Sequence, residues 1–151
     1  MDGVSIRQDT ASADEIVSHL SECSADFVPP LASRVDLPTY AAKLRAAATT
    51  YEAWHGPDLV GLIAVYRNAT TRAAFITSVS TSAHYRRSGL ARSLLTEALQ
   101  QLDVTGYGPT ELEVDSQSDA AVGLYRSLDF TEAEVTGSTV RMTRGSHLAS
   151  E

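Results

Sequence analysis

Arg86-Arg87-Ser88-Gly89-Leu90-Ala91 stands between an apolar, strand-like run (Ala73 to Val79) and a run of helical period (Leu90 to Leu102). A strand that feeds a short basic turn with a glycine, and then a helix, limits both fold and ligand. The first N–H groups of a helix have no partner inside it and carry the positive end of its dipole. Gly89 leaves the backbone open to close approach, Ala91 keeps the next turn shallow, and Arg86 and Arg87 bring charge to the rim. A pyrophosphate fits such a place. An ordinary strand-to-helix connection with solvated arginines fits the same six residues.

The chain has 151 residues, 43% hydrophobic and 21% charged, which predicts one domain with a full core and no need of disulfides or metals. Residues 1–144 are expected to form that domain, and 145–151 a polar, frayed tail. A lone cysteine, Cys23, excludes a disulfide framework and a Cys-based zinc site. No run approaches about eighteen apolar residues, so no membrane partner is expected. Met1 to Val4 lacks the basic and apolar regions of a signal peptide, which reads as cytoplasmic. The net charge of −7, with 12 basic against 19 acidic residues, argues against nucleic acid. An acidic body with one basic notch suits a small anionic cofactor.

Val4 to Arg7 alternates as a short strand. Ser12 to Glu15 matches a capping box, and Ile16, Val17, Leu20 and Cys23 form the helical face behind it. Asp36 is the expected N-cap of a second helix, with Pro38 in its first turn and Tyr40, Leu44 and Ala47 on one face. Thr50–Trp54, Leu59–Tyr66 and Arg72–Val79 read as strands separated by turns at His55–Asp58 and Asn68-Ala69. A helix from Leu90 follows, with Leu94, Leu95, Ala98, Leu99 and Leu102 on its stripe. Glu111–Val114 is a strand, Ser118–Leu128 a helix, and Phe130–Val135 with Thr139–Thr143 a closing hairpin. The predicted class is α/β: a mixed sheet covered by helices on both faces, in the order β-α-α-β-β-β-α-β-α-β-β.

With that order in place, two segments resemble the GCN5-related N-acetyltransferase (GNAT) superfamily. Its acetyl-CoA loop, Arg/Gln-x-x-Gly-x-Gly/Ala, is met by Arg86, Gly89 and Ala91. Its later pattern, Asn-x-x-Ala-x-x-Leu-Tyr-x-x-x-Gly-Phe, is met from Ser118 through Ala121, Leu124 and Tyr125 to Phe130. The resemblance spans Leu59 to Phe130 and implies a GNAT-like acyl-CoA N-acyltransferase fold with acetyl-CoA as co-substrate and no metal. It also implies that main-chain groups of Val79, Ser80 and Thr81 meet the pantetheine arm. The amides from Arg87 through Ser88, Gly89, Leu90 and Ala91 then hold the pyrophosphate. Arg92, next on the helix, is read as solvated.

In that setting Tyr125 is the expected general acid, protonating the departing thiolate. On its sequence alone it reads better as a core tyrosine with a satisfied hydroxyl. Three positions depart from the pattern. Ser118 stands for an asparagine that contacts pantetheine; it is shorter, and its hydroxyl can cap the helix. Asp129 stands for glycine, in a residue type that tolerates the left-handed region. Thr81 stands for valine. No motif marks a general base; Glu113 and Glu52 are both placeable near the cleft, and each also reads as an ordinary strand-surface carboxylate.

In this superfamily the connection between the first two helices commonly lines the acceptor site. Here it is Phe27–Arg34, where Phe27 and Leu31 offer an apolar wall and Arg34 a charge for an acceptor carboxylate or phosphate. A loop packing its own apolar residues, or one at a homodimer contact, fits as well. Zinc, serine-hydrolase, P-loop and dinucleotide-binding signatures are all missing. The expected activity is transfer of an acetyl group directly to a primary amine of a small molecule or peptide. Cys23, distant in sequence from both motifs, is expected to take no part. A non-catalytic acyl-CoA-binding module on the same fold is the alternative.

Overall fold

The structure, a computed structural model, describes residues 3–24 and 30–145. Phe27, expected in the acceptor wall, and residues 146–151 of the expected tail lie outside them. Seven strands form one sheet: β1 (Val4–Gln8), β2 (Thr49–His55), β3 (Asp58–Arg67), β4 (Ala74–Thr81), β5 (Thr110–Asp115), β6 (Thr131–Thr136) and β7 (Thr139–Arg144). Their order is β1-β2-β3-β4-β5-β7-β6. Every neighbouring pair is antiparallel except β4–β5. A parallel pair needs a crossover, and α3 (Leu90–Val104) supplies it.

The other helices are α1 (Ala13–Cys23), α2 (Leu37–Ala47) and α4 (Asp119–Ser127), and the element order is the one the sequence predicts. Local signals set the helix starts. Ser12 and Glu15 form a reciprocal capping box, and Asp36 accepts from the Thr39 N–H ahead of Pro38. One expectation fails on α2, where Ala47 is exposed and Ala41 is buried with Leu44. The buried stripe runs 41, 44, 48, so position 47 points away from the sheet.

β3 is buried on both faces, which explains its unbroken apolar run. Leu62 and Ala64 pack beneath α1 and α2 with Ile16, Leu20, Leu44 and Trp54. Ile63 and Val65 face the other way, into the core built by Leu90, Leu94, Leu95, Ala98 and Leu102 of α3. Gly61 sets how closely α3 can lie on the sheet, because a Cβ there would sit 2.8 Å from Leu94 Cδ1 and 3.3 Å from Leu90 Cδ2.

Glu52, expected on the strand surface near the cleft, is wholly buried between β1 and α1. Its carboxylate accepts from the N–H groups of Thr10 and Ala11 at 3.0 Å each, Thr50 Oγ1 at 2.6 Å, Trp54 Nε1 at 3.0 Å, and the Thr10 hydroxyl. Burial pushes its pKa up, but the hydrogen bonds from Thr10, Thr50, Ala11 and Trp54 outweigh it and hold the group below its ordinary 4.5. It is a structural anion, with every oxygen committed.

Glu52→Gln puts an amide NH₂ against several of those donors. We expect a loss of about 3 kcal/mol in a urea titration. The sign with pH follows from a lowered carboxyl: its contribution is complete above pH 4.5 and is lost as pH falls through the folded-state value. The variant loses that acid limb.

Candidate active site

β4 and β5 pair only at Ala74–Thr110, Phe75–Glu111 and Ile76–Leu112, and then part. From Ser78 to Thr81, β3 is the one strand that β4 pairs with. Its register with β3 shifts between Ala64 and Val65, leaving Thr77 as an extra residue, a β-bulge. The bulge reverses the alternation. Ala74 and Ile76 face the α3 core before it, and Val79 packs against that core after it. Ser78 and Ser80 therefore turn to the α1/α2 face. Nothing in the composition of the strand marks this change of phase.

The parting strands open a cleft of about 550 Å³ through the sheet. Val79, Tyr125 and Ser118 line it, as do Leu31 and Arg34 from the connection into α2 and Glu113 from β5. Sequence elements far apart in the chain thus meet at one gap. Tyr125 is 7% exposed, with its ring edge-on to Phe130 at a centroid distance of 5.9 Å. No described residue hydrogen-bonds its hydroxyl. Burial pushes that phenol up to about 12, so it keeps its proton at neutral pH.

Ser118 occupies the N-cap of α4, but its hydroxyl makes no capping bond. Asp129 closes the helix at φ 74°, the left-handed conformation for which its residue type is suited.

The basic turn leaves β4 at the open end of the gap. Arg87 (φ 61°) and Gly89 (φ 86°) both hold the left-handed region, and Gly89 is the N-cap of α3. Among the described residues, no backbone carbonyl accepts from the N–H groups of Arg87, Gly89, Leu90 or Ala91. Ser88 differs: its N–H reaches the Tyr85 carbonyl at 3.3 Å, and its hydroxyl bonds the same oxygen. Four of the five expected amides are therefore open to an anion. Leu90 leaves its N–H open at this turn while its side chain anchors the core. Arg92, read as solvated, reaches Ser127 Oγ at 2.7 Å and ties α3 to α4.

With this geometry in hand, comparison with known proteins is informative. The description "Acetyltransferase (GNAT) family" matches residues 13–130. The chain belongs to this family. A [Ribosomal protein bS18]-alanine N-acetyltransferase of Escherichia coli (strain K12) is 36% identical over 62 residues. That match takes in 41% of this chain and 42% of the relative, so it spans less than half of that protein's length.

The crystal structure of the ribosomal-protein-S18-alanine N-acetyltransferase from Escherichia coli superposes with a TM-score of 0.80 at 21% identity, covering 98% of this chain and 97% of that one. The PaiA N-acetyltransferase from Thermoplasma acidophilum, in complex with coenzyme A, gives 0.71 at 15% identity, covering 93% and 99%. These two likenesses establish the shared fold. Among the described residues of this GNAT chain, no helix is long and apolar enough to cross a membrane, and no three His, Cys, Asp or Glu side chains group to hold a metal.

Behind the bulged strand the GNAT chain carries a polar cluster that sequence reasoning missed. His19 of α1 is 2% exposed. Its Nδ1 is 3.1 Å from the Leu59 carbonyl, an acceptor only, so Nδ1 bears the hydrogen. Nε2, 2.8 Å from Ser80 Oγ, therefore accepts from that hydroxyl. Cys23, distant from the motifs in sequence, has its Sγ 3.5 Å from the Thr81 carbonyl and 3.8 Å from His19 Nε2. Position 19 shares the helical face of Ile16 and Cys23, a signal that was available.

Burial lowers the pKa of His19 from 6.5, against the pull of its hydrogen bonds and Glu22. The folded chain thus binds this proton less readily than the unfolded one, and stability falls as pH drops below 6.5. His19→Gln, which can still bond Ser80, is expected to flatten the thermal midpoint between about pH 7 and about pH 5. An unchanged slope in the variant contradicts the assignment.

Proposed function

We propose that the chain is an acetyl-CoA-dependent N-acetyltransferase that passes the acetyl group directly to a primary amine of a small molecule or peptide. One observation carries the reading: a buried phenol with no hydrogen-bond partner among the described residues lines the gap between β4 and β5. That gap leads to a helix start with open amides. The donor set suits the cofactor, since an acyl-CoA has an anionic diphosphate for the turn and an extended amide-bearing arm for a strand edge.

The residues divide the work by location. N–H groups of Arg87, Gly89, Leu90 and Ala91 bind the diphosphate, with Arg86 and Arg87 at the rim. Main-chain groups of Val79, Ser80 and Thr81 hold the pantetheine arm along the unpaired side of β4, and Ser118 lies beside it. His19 and Cys23 brace that strand from behind. Bound acetyl-CoA supplies an activated thioester. Glu113 takes one proton from the incoming ammonium, the amine forms its C–N bond as the C–S bond breaks, and Tyr125 donates a proton to the departing sulfur. The second proton, shed by the acylated nitrogen, restores the phenol, leaving the N-acetyl product and free CoA thiol. Excluding water from the buried phenol keeps it in donor form.

The E. coli relative that acts on an alanine of a ribosomal protein supports including polypeptide amines in the acceptor class. Incubation of acetyl-CoA with a panel of amines, following thiol release, tests the reading. Amine-dependent release above hydrolysis is the expected result. Cofactor binding without release across the panel means a non-catalytic acyl-CoA-binding module.

A further inference from the structure

The acceptor half of the cleft is not uniform in charge. Leu112 and Val114 of β5 pack toward the α3 core, so the alternating Glu113 and Asp115 project to the face that α1 and α2 cover. Glu113 has no ion pair among the described residues; its cross-strand neighbour Arg141 is engaged by Glu111 at 2.7 Å and Glu134 at 3.6 Å. Asp115 accepts from the Gln117 N–H at 2.8 Å and keeps its second oxygen. From the connection into α2, Arg34 reaches the same cleft; among the described residues it is the single cation in the lining, and none of them forms an ion pair with it.

A third feature lines the same cleft. Ser78, turned to this face by the bulge and 3% exposed, has an Oγ with no hydrogen-bond partner among the described residues. A buried hydroxyl in that state awaits a ligand group.

We propose that the acceptor is a primary amine whose own skeleton also carries a carboxylate, with Arg34 taking the carboxylate and Glu113 and Asp115 facing the amine. This rests on the acetyltransferase reading above. Carboxylates on β5 attract an ammonium into the cleft that Tyr125 also lines and repel an anion. Arg34, on a different element, gives that anion somewhere to go. The pair of charges therefore selects amine-first entry. Ser78 lines the same cleft with a hydrogen bond to give.

Matched acceptors that differ only as carboxylate against primary carboxamide decide the matter. One arm uses a free amino acid and its amide, the other a short peptide with glutamate and its glutamine counterpart, which separates small molecules from polypeptides. In at least one arm the carboxylate form is expected to have a kcat/KM about tenfold higher, expressed in KM. Arg34→Gln brings the pair to parity, and Arg34→Lys restores part of the preference.

Equal rates for both members, or a preference that survives Arg34→Gln, overturns the proposal while turnover of neutral amines leaves the acetyltransferase reading standing. No amine-dependent thiol release with any acceptor removes both.

Discussion

Tyr125→Phe is expected to lower kcat by about a thousandfold, with the dissociation constant for acetyl-CoA within about twofold of the native value. The substitution deletes one oxygen that no described residue engages, so the fold has nothing to lose by it. The ring, its contact with Phe130 at 5.9 Å and the shape of the cleft all persist. What disappears is the proton donor at the departing sulfur. Because burial pushes the phenol up to about 12, its ionisation leaves no mark on the rate anywhere near neutrality. Steady-state thiol release gives kcat and calorimetry gives the binding constant. A variant that keeps native turnover removes Tyr125 from the chemistry.

Gly89→Glu attacks the other end of the cofactor. A Cβ at this position meets nothing within 4 Å, so crowding inside the protein is not the cause of the effect. Two other costs apply. A side chain at φ 86° is strained by roughly 1–2 kcal/mol, and the strain falls on the residue whose geometry aims the first amides of α3. A carboxylate then competes with the diphosphate for the same N–H groups. Together these weaken acetyl-CoA binding by about a hundredfold or more. Gly89→Ala separates the two, because it carries the strain without the charge and is expected to lose about tenfold. Native affinity in the glutamate variant shows that the diphosphate binds elsewhere.

The sequence was most readable where structure is decided by neighbours in the chain. Ser12 with Glu15, Asp36 before Pro38, and the Leu90–Leu102 stripe each specify an element through contacts a few residues apart, and all three appear as expected. Asp129 belongs here too, since its positive φ follows from the helix end it closes. Pairing across the sheet was less readable. Glu52 looked like a surface carboxylate, because nothing on β2 reveals that Thr10 and Ala11 will bring their N–H groups to it. His19 and Ser80 lie far apart in the chain, and only the bulge at Thr77 turns them toward each other. The same bulge exposes Ser78 to the acceptor half of the cleft. Ser88 shows the limit at the phosphate loop: the motif counts its amide among the donors, while the turn's own closure onto Tyr85 uses it.

The claim on which the account depends is that one opening in the sheet brings a thioester to Tyr125 while the amides at the start of α3 hold the diphosphate. A crystal structure with acetyl-CoA bound measures both ends at once. The account predicts phosphate oxygens within hydrogen-bond reach of the Gly89, Leu90 and Ala91 nitrogens, and the thioester sulfur beside the Tyr125 hydroxyl. A cofactor lying outside the β4–β5 gap, with those nitrogens facing solvent, contradicts it.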